Sequence, residues 1–177
     1  SRFDNNNRLN FDHAGCNSGT HCILAGVKIT HTVGMVLRYN AFRNNTATGL
    51  WCDLGCGSAV IVGNAVAGNA LHGIYYEVSS GGVIAGNVVT GHTTPGAAGL
   101  RISGSCNVVV KRNTFHANNA HLGPNSDDRP NVGFGDTCAD TATLDIQGNL
   151  FTEGTNQANY YVTDTEAFGT GFGAGGA

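Results

Sequence analysis

The residues best suited to chemistry are two acids, Asp53 and Glu77, which occupy the same place in two similar stretches of sequence. Each acid follows an aromatic residue by two positions. Four stretches share this plan, in chain order Gly26-Val27-Lys28-Ile29-Thr30, Gly49-Leu50-Trp51-Cys52-Asp53, Gly73-Ile74-Tyr75-Tyr76-Glu77 and Gly99-Leu100-Arg101-Ile102-Ser103. In these four stretches the third position carries a cation or an aromatic ring, and the fifth position carries an acid or a hydroxyl group.

Three kinds of site use such residues, and the sequence leaves all three open. A retaining glycosidase needs two carboxyl groups about 5–5.5 Å apart. A polysaccharide lyase needs a base such as Arg101, with a carboxylate-bound Ca²⁺ to neutralise an acidic sugar. A sugar-binding strip needs only exposed rings, here Trp51 and Tyr75. The structural alternative is a solvated sheet face that tolerates an acid pair.

If each stretch is a β-strand, alternate side chains face opposite sides of the sheet. The apolar residues at the second and fourth positions then point inwards. Two outward columns result, one of Lys28, Trp51, Tyr75 and Arg101, the other of Thr30, Asp53, Glu77 and Ser103. The candidate catalytic residues are Asp53, Glu77 and Arg101, and the candidate substrate-binding residues are Trp51, Tyr75, Lys28 and Ser103.

These stretches belong to an internal repeat that is marked by asparagines. The aligned residues are Asn40, Asn64, Asn87, Asn113 and Asn149. An apolar residue stands three positions before each of them, and Phe or Val stands two positions after. A period of about 23–26 residues with short strands and Gly/Asn corners is typical of a solenoid. The sequence therefore predicts an all-β parallel β-helix whose coils stack in register.

Histidine adds no obvious metal site to this pattern. The seven histidines form no evident ligand pair, and no Cys-x-x-Cys pair occurs. His92 stands where other coils carry asparagine, which predicts a corner position. We expect His72, just before the third stretch, to lie at the surface.

Composition excludes several classes of protein. Charged residues make up 12% of the 177 residues and the net charge is −3, which argues against nucleic-acid binding. No apolar run is long enough to span a bilayer. The six cysteines suggest an exported, disulfide-containing protein. The expected pairs are Cys16–Cys22, Cys52–Cys56 and Cys106–Cys138.

With its repeats aligned, the sequence resembles the right-handed parallel β-helix repeat proteins of bacteria, in the superfamily of pectate lyases, polygalacturonases and mannuronan epimerases. Gly49-Leu50-Trp51-Cys52-Asp53 resembles one motif of a secreted group of these proteins, and Gly73-Ile74-Tyr75-Tyr76-Glu77-Val78-Ser79 resembles a second. The resemblance covers roughly residues 20–120. It implies the fold, and it implies contact with polysaccharide outside the cell or at its surface.

The repeat sets the expected organisation of the chain. Residues 1–25 are an irregular N-terminal segment or a first coil, and residues 26–167 are the β-helix domain. Within that domain, residues 123–140 (Gly123–Asp140) leave the coil as a loop, and one further coil covers about residues 141–152. Residues 168–177 are a Gly-rich tail, which is either flexible or an arm.

Two functions of different classes fit these observations. The first is an extracellular protein that contacts polysaccharide through the outward acidic and aromatic residues, with or without turnover. The second is a structural subunit that stacks end to end into a fibre or surface layer, because the ends of a β-helix expose unpaired backbone groups.

Overall fold

The computed structural model describes residues 1–9, 24–125 and 144–154, and within these ranges the chain is all-β with no helix. Within the described ranges, short strands alternate with corners of two to seven residues. In chain order the strands are β1 (Arg2–Asp4), β2 (Ala25–Thr30), β3 (Val36–Arg38), β4 (Ala41–Arg43), β5 (Thr48–Asp53), β6 (Val60–Val62), β7 (Ala65–Ala67), β8 (Ile74–Glu77), β9 (Val83–Ala85), β10 (Val88–Thr90), β11 (Ala98–Ser103), β12 (Val108–Lys111), β13 (Thr114–His116), β14 (Ala120–Asn125), β15 (Leu144–Gln147) and β16 (Leu150–Thr152).

The strands form three parallel sheets, because each coil contributes one strand to each sheet. Sheet 1 has the order β1-β4-β7-β10-β13-β16, sheet 2 the order β14-β11-β8-β5-β2, and sheet 3 the order β15-β12-β9-β6-β3. This is a parallel β-solenoid of about four turns, which confirms the predicted fold. The register is also as predicted, since Trp51 pairs with Tyr75, and Tyr75 with Arg101.

The interior of the solenoid is filled by stacked apolar columns. Phe42, Val66, Val89 and Phe115 are fully buried in one column, and Leu50, Ile74 and Leu100 are fully buried in another. Phe3 stacks on Phe42 with 5.1 Å between the ring centroids. Strand β1 pairs in register with β4, so of the two expectations for residues 1–25, an irregular segment or a first coil, the described residues 2–4 fit the coil.

The predicted asparagine column is a buried hydrogen-bond ladder. Asn87 shows the pattern: its backbone amide and its Nδ2 both donate to Asn113 Oδ1 at 2.9 Å, while Nδ2 also donates to Ile61 O. Its own Oδ1 accepts the backbone amide and the Nδ2 of Asn64. Each asparagine thus satisfies backbone groups at the corner of the neighbouring coil.

A second ladder consists of Asn45, Asn69, His92 and Asn118, in which His92 takes the place of an asparagine as predicted. Asn45 donates to Asn69 Oδ1 through its amide and its Nδ2, and Asn69 Nδ2 lies 3.0 Å from His92 Nε2. His92 Nδ1 lies 2.8 Å from Asn118 Oδ1. The neutral Nδ1–H tautomer reproduces the donor and acceptor order of asparagine, because Nε2 accepts and Nδ1–H donates.

The predicted loop excursion is wrong at its first three residues. Strand β14 continues to Asn125 and pairs with β11 through Gly123 and Pro124. Proline is tolerated there because β14 has no partner on its other side within the described strands, so the missing amide breaks no ladder. Residues 126–143 and the tail at 168–177 lie outside the described residues.

The predicted disulfide Cys52–Cys56 is present, and both cysteines are fully buried. Cys106 is also disulfide-bonded. The remaining cysteines of the expected pairs, Cys16, Cys22 and Cys138, lie outside the described residues.

Candidate functional site

The outer face of sheet 2 carries the first predicted column as a continuous stack of side chains. Lys28 Nζ lies 3.4 Å from the centroid of the Trp51 ring. The Trp51 and Tyr75 rings stack with 5.0 Å between centroids, and the Arg101 guanidinium carbon lies 5.5 Å from the Tyr75 ring. Two cations therefore cap an aromatic pair, which is a favourable cation–π arrangement at both ends.

The two predicted acids bind to this stack rather than to each other. Glu77 accepts a hydrogen bond from Trp51 Nε1 at 2.9 Å on one oxygen and from the Tyr75 hydroxyl at 2.7 Å on the other. Asp53 Oδ2 forms an ion pair with Lys28 Nζ at 2.8 Å. Each carboxylate therefore orients one part of the aromatic column.

The rings are far less accessible than an exposed strip requires. Trp51 is 6% exposed and Tyr75 is 9% exposed, and Asp53 and Ser103 are also buried. The expectation of exposed aromatic faces is therefore wrong, because the faces of the rings are covered by each other and by the Lys28 and Arg101 side chains. Glu77 and Arg101 are partly exposed, and Lys28 is exposed as a residue while its side chain retains 27% of its accessible surface.

Burial also changes the acid–base behaviour of the column. It raises the pKa of the Tyr75 hydroxyl above its usual value, and the neighbouring Glu77 carboxylate adds to that shift. Tyr75 therefore remains a neutral hydrogen-bond donor to Glu77 throughout the physiological range.

His72 joins this cluster, which the sequence had left as the alternative to a surface position. Its ring lies 5.3 Å from the Tyr75 ring, and its Nδ1 accepts a hydrogen bond from the Ala98 amide. Burial, followed by the positive charges of Arg101 and His92, lowers the pKa of His72 to about 3. The expected surface histidine is thus a neutral, half-buried one, because the corner before β8 folds back against β11.

The described residues offer no site for a metal ion. No group of three or more His, Cys, Asp or Glu side chains converges anywhere in residues 1–9, 24–125 and 144–154. Cys52 and Cys56 form a disulfide, so neither is available as a thiolate ligand. Both ring nitrogens of His92 are hydrogen-bonded within the asparagine ladder.

The comparison with protein families identifies the chain's relatives. A family model described as "Periplasmic copper-binding protein (NosD)" matches residues 2–171. The chain belongs to the NosD family. No curated protein matches it.

Two solved structures are similar in fold to this NosD-family chain, and a third is more distant. Two mutants of the periplasmic alginate epimerase AlgG match with 18% identity and a TM-score of 0.57, over 78% of this chain. The A-module of a mannuronan C-5 epimerase from Azotobacter vinelandii matches with 15% identity and a TM-score of 0.38, over 79% of this chain. The chain spans about a third of the length of the AlgG structures and 56% of the epimerase module.

The NosD-family chain shows no helix, in the part that the structure describes, with the length and apolar character of a membrane span.

Proposed function

We propose that this chain is an exported β-helix protein of the cell envelope that contacts polysaccharide through the outer face of sheet 2. The observation that carries the proposal is the in-register column of Lys28, Trp51, Tyr75 and Arg101, with Glu77 bound to both rings. The family and AlgG are both described as periplasmic, which supports export, as does the buried disulfide.

The distribution of side chains over the three faces supports the choice of sheet 2. Each of the other two sheets has one mainly aliphatic outward column and one mixed outward column. The mixed columns contain Arg38, Val62, Ala85 and Lys111 on sheet 3, and Arg43, Ala67, Thr90 and His116 on sheet 1. Among the described strands, only sheet 2 has Trp or Tyr in an outward column, where the rings are held by charged neighbours, and such fixed polar and aromatic groups are what orients a sugar.

Contact is better supported than turnover. The glycosidase and lyase alternatives need a carboxylate or a base that is free to act on substrate. Here both Glu77 oxygens accept hydrogen bonds from aromatic neighbours, and Asp53 is held by Lys28. We therefore assign to binding of polysaccharide, rather than to its turnover, the residues Asp53, Glu77 and Arg101. The side chains that hold them in place are those of Trp51, Tyr75, Lys28 and Ser103.

The two metals considered for this chain do not enter the proposal. The family name refers to copper, but the described residues do not fit a copper ion, since they bring together neither thiolates nor a histidine cluster. The Ca²⁺ expected for a lyase site has no convergent carboxylates in the described part of the chain.

Replacing Arg101 by glutamine is expected to weaken polysaccharide binding at least tenfold. The guanidinium is the partly exposed end of the column, and its loss removes both charge-assisted hydrogen bonds and the cation over Tyr75. Titration calorimetry with oligosaccharides would measure the change. The matched control is Arg43→Gln on sheet 1, whose exposed side chain lies on another face. Equal affinities for the two variants would reject the proposed face.

Assembly by end stacking remains a second candidate because of exposed apolar residues at the first coil. Val36 is 55% exposed and Tyr39 is 77% exposed there. If these residues form a contact between chains, light scattering should show a concentration-dependent mass that Val36→Lys reduces. A constant monomer mass up to millimolar concentration would eliminate this candidate.

A further inference from the structure

One edge of the solenoid, where the chain passes from sheet 3 to sheet 1, carries cations without acids. Three outward columns line it, and we call them together the basic edge. They hold four of the eight Lys and Arg residues that the structure describes and none of its five Asp and Glu residues. In coil order the columns are Arg38, Val62, Ala85, Lys111 and Gln147 at the end of sheet 3, then Tyr39, Gly63, Gly86, Arg112 and Gly148 at the corner, then Arg2, Ala41, Ala65, Val88, Thr114 and Leu150 at the start of sheet 1.

Most of the charge on the basic edge is not balanced by neighbouring side chains. Arg38, Lys111 and Arg112 are exposed, and none of them forms an ion pair within the described part of the chain. The adjoining outward columns contain two acids that already bind within their own strands, Asp4 with Arg2 and Asp145 with Gln147. The edge therefore presents positive charge to solvent, although the whole chain has a net charge of −3.

The basic edge also exposes apolar side chains, one to a coil. Tyr39, Val88 and Leu150 are half of the six large apolar residues that the described structure exposes. Their columns are otherwise made largely of glycine and alanine, and a side chain added at Gly86 would meet open space. Single apolar side chains therefore project from a low surface, with cations between them.

Tyr39 is supported from below and open above. Its ring lies against the next coil, because a Cβ added at Gly63 would lie 2.7 Å from Tyr39 Cε1, while the residue as a whole is 77% exposed. Tyrosine has an apolar ring and a polar hydroxyl group, and such residues are enriched where a membrane meets water. The adjacent Arg38 can lay its apolar stem along the same surface and keep its guanidinium at the level of anionic groups.

This combination matches the surface of a negatively charged bilayer. Its phosphates attract Lys and Arg side chains, and the boundary below them accepts Tyr, Val and Leu side chains. A protein partner is favoured by one contiguous apolar patch, whereas here cations and small residues separate the apolar side chains. The basic edge lies across the solenoid from sheet 2, because the three sheets enclose one interior.

We propose that the basic edge binds the surface of an anionic phospholipid bilayer, peripherally and reversibly. The proposal does not rest on the contact with polysaccharide. Binding by this edge would turn the outer face of sheet 2 away from the bilayer, so that both surfaces can be occupied at once.

The test measures sedimentation of the whole chain with vesicles. Vesicles of phosphatidylcholine alone are compared with vesicles in which about a third of the lipid is phosphatidylglycerol. The partition coefficient onto the anionic vesicles should be at least about tenfold higher at low ionic strength, and this advantage should shrink at about 0.15 M salt.

Two double variants with the same net charge show whether the edge is responsible. Lys111→Gln combined with Arg112→Gln removes two cations of the basic edge and should lower binding to the anionic vesicles about tenfold or more. The matched control, Arg8→Gln combined with Arg43→Gln, removes two exposed cations outside the edge and should lose less than about threefold. All four side chains are exposed, so both variants should keep the fold.

Three results would overturn the proposal. The first is equal partitioning of the wild-type chain onto the two kinds of vesicle, and the second is an equal loss in the two double variants. The third is absence of vesicle binding together with a concentration-dependent mass in light scattering that the edge variant reduces, which would assign the basic edge to contact between copies of the chain.

Discussion

Asn87→Ala is expected to lower the free energy of unfolding by several kcal/mol, the largest stability effect of any substitution considered for this chain. The side chain makes four hydrogen bonds in a fully enclosed corner, two as donor from Nδ2 and two as acceptor at Oδ1. Alanine leaves Ile61 O and the Asn64 amide without partners, and each buried unsatisfied group costs about 1–3 kcal/mol.

Urea denaturation followed by circular dichroism would measure this loss. The control is Asn44→Gly, because Asn44 is exposed and has a φ of 53°, while glycine has the same left-handed conformation at the equivalent corner, Gly68, with a φ of 59°. The control should change stability by less than about 1 kcal/mol. Similar losses in the two variants would show that the ladder does not hold the coils together.

His92→Asn is expected to remove much of the acid sensitivity of the fold. Burial lowers the pKa of His92 to about 4, from an ordinary value of 6.5. The unfolded chain therefore binds more protons than the folded chain between these two values, and stability is lost as the pH falls from about 6.5 to about 4. For one such histidine the loss approaches 1.4 kcal/mol per pH unit within that window.

The acid sensitivity arises from the direction in which hydrogen bonds are donated along the ladder, from Asn69 to His92 and from His92 to Asn118. A protonated His92 would turn an Nε2–H towards Asn69 Nδ2, which is itself a donor. Asn69 cannot simply flip its amide, because its Oδ1 already accepts the amide and the Nδ2 of Asn45. Asparagine at this position restores the pattern of the other coils without a titrating group.

Melting temperatures measured from pH 4 to pH 7 would test this prediction. His92→Asn should have a flatter pH profile than the wild-type protein, even if the smaller side chain lowers stability at pH 7 by about 1 kcal/mol through the space left beside Gly73. His72 retains its own shift, so some slope remains. A wild-type slope in His92→Asn would contradict the ladder account.

The fold could be predicted because a β-helix repeats its side chains in columns. The Asn, Phe and Ile positions recur at nearly constant spacing, and residues that repeat every coil must lie above one another. Aligning the asparagines from Asn40 to Asn149 therefore predicted correctly which residues of neighbouring coils pair, such as Trp51 with Tyr75. A first coil in residues 1–25 was one of two alternatives, and its register could not be assigned because only Phe3 of the three aligned positions is recognisable in residues 1–9.

The site was only partly predictable, for reasons that concern contacts rather than periodicity. The repeat correctly placed Trp51 and Tyr75 in register on neighbouring strands, but no periodic rule indicates that Lys28 and Arg101 fold over the rings. His72 lies in a corner, where the period of two does not apply. Its approach to Tyr75 depends on the path of the chain from β7 to β8.

The most direct test of the proposed face uses the single tryptophan of the chain. Trp51 donates its indole N–H to Glu77, so its ¹H–¹⁵N indole resonance reports on the centre of the cluster. Titration with a neutral oligosaccharide that binds should move this resonance with the same saturation curve as calorimetry. If binding is measured while the indole resonance stays fixed and resonances of sheet 1 or sheet 3 move instead, the sheet 2 face is not the contact surface.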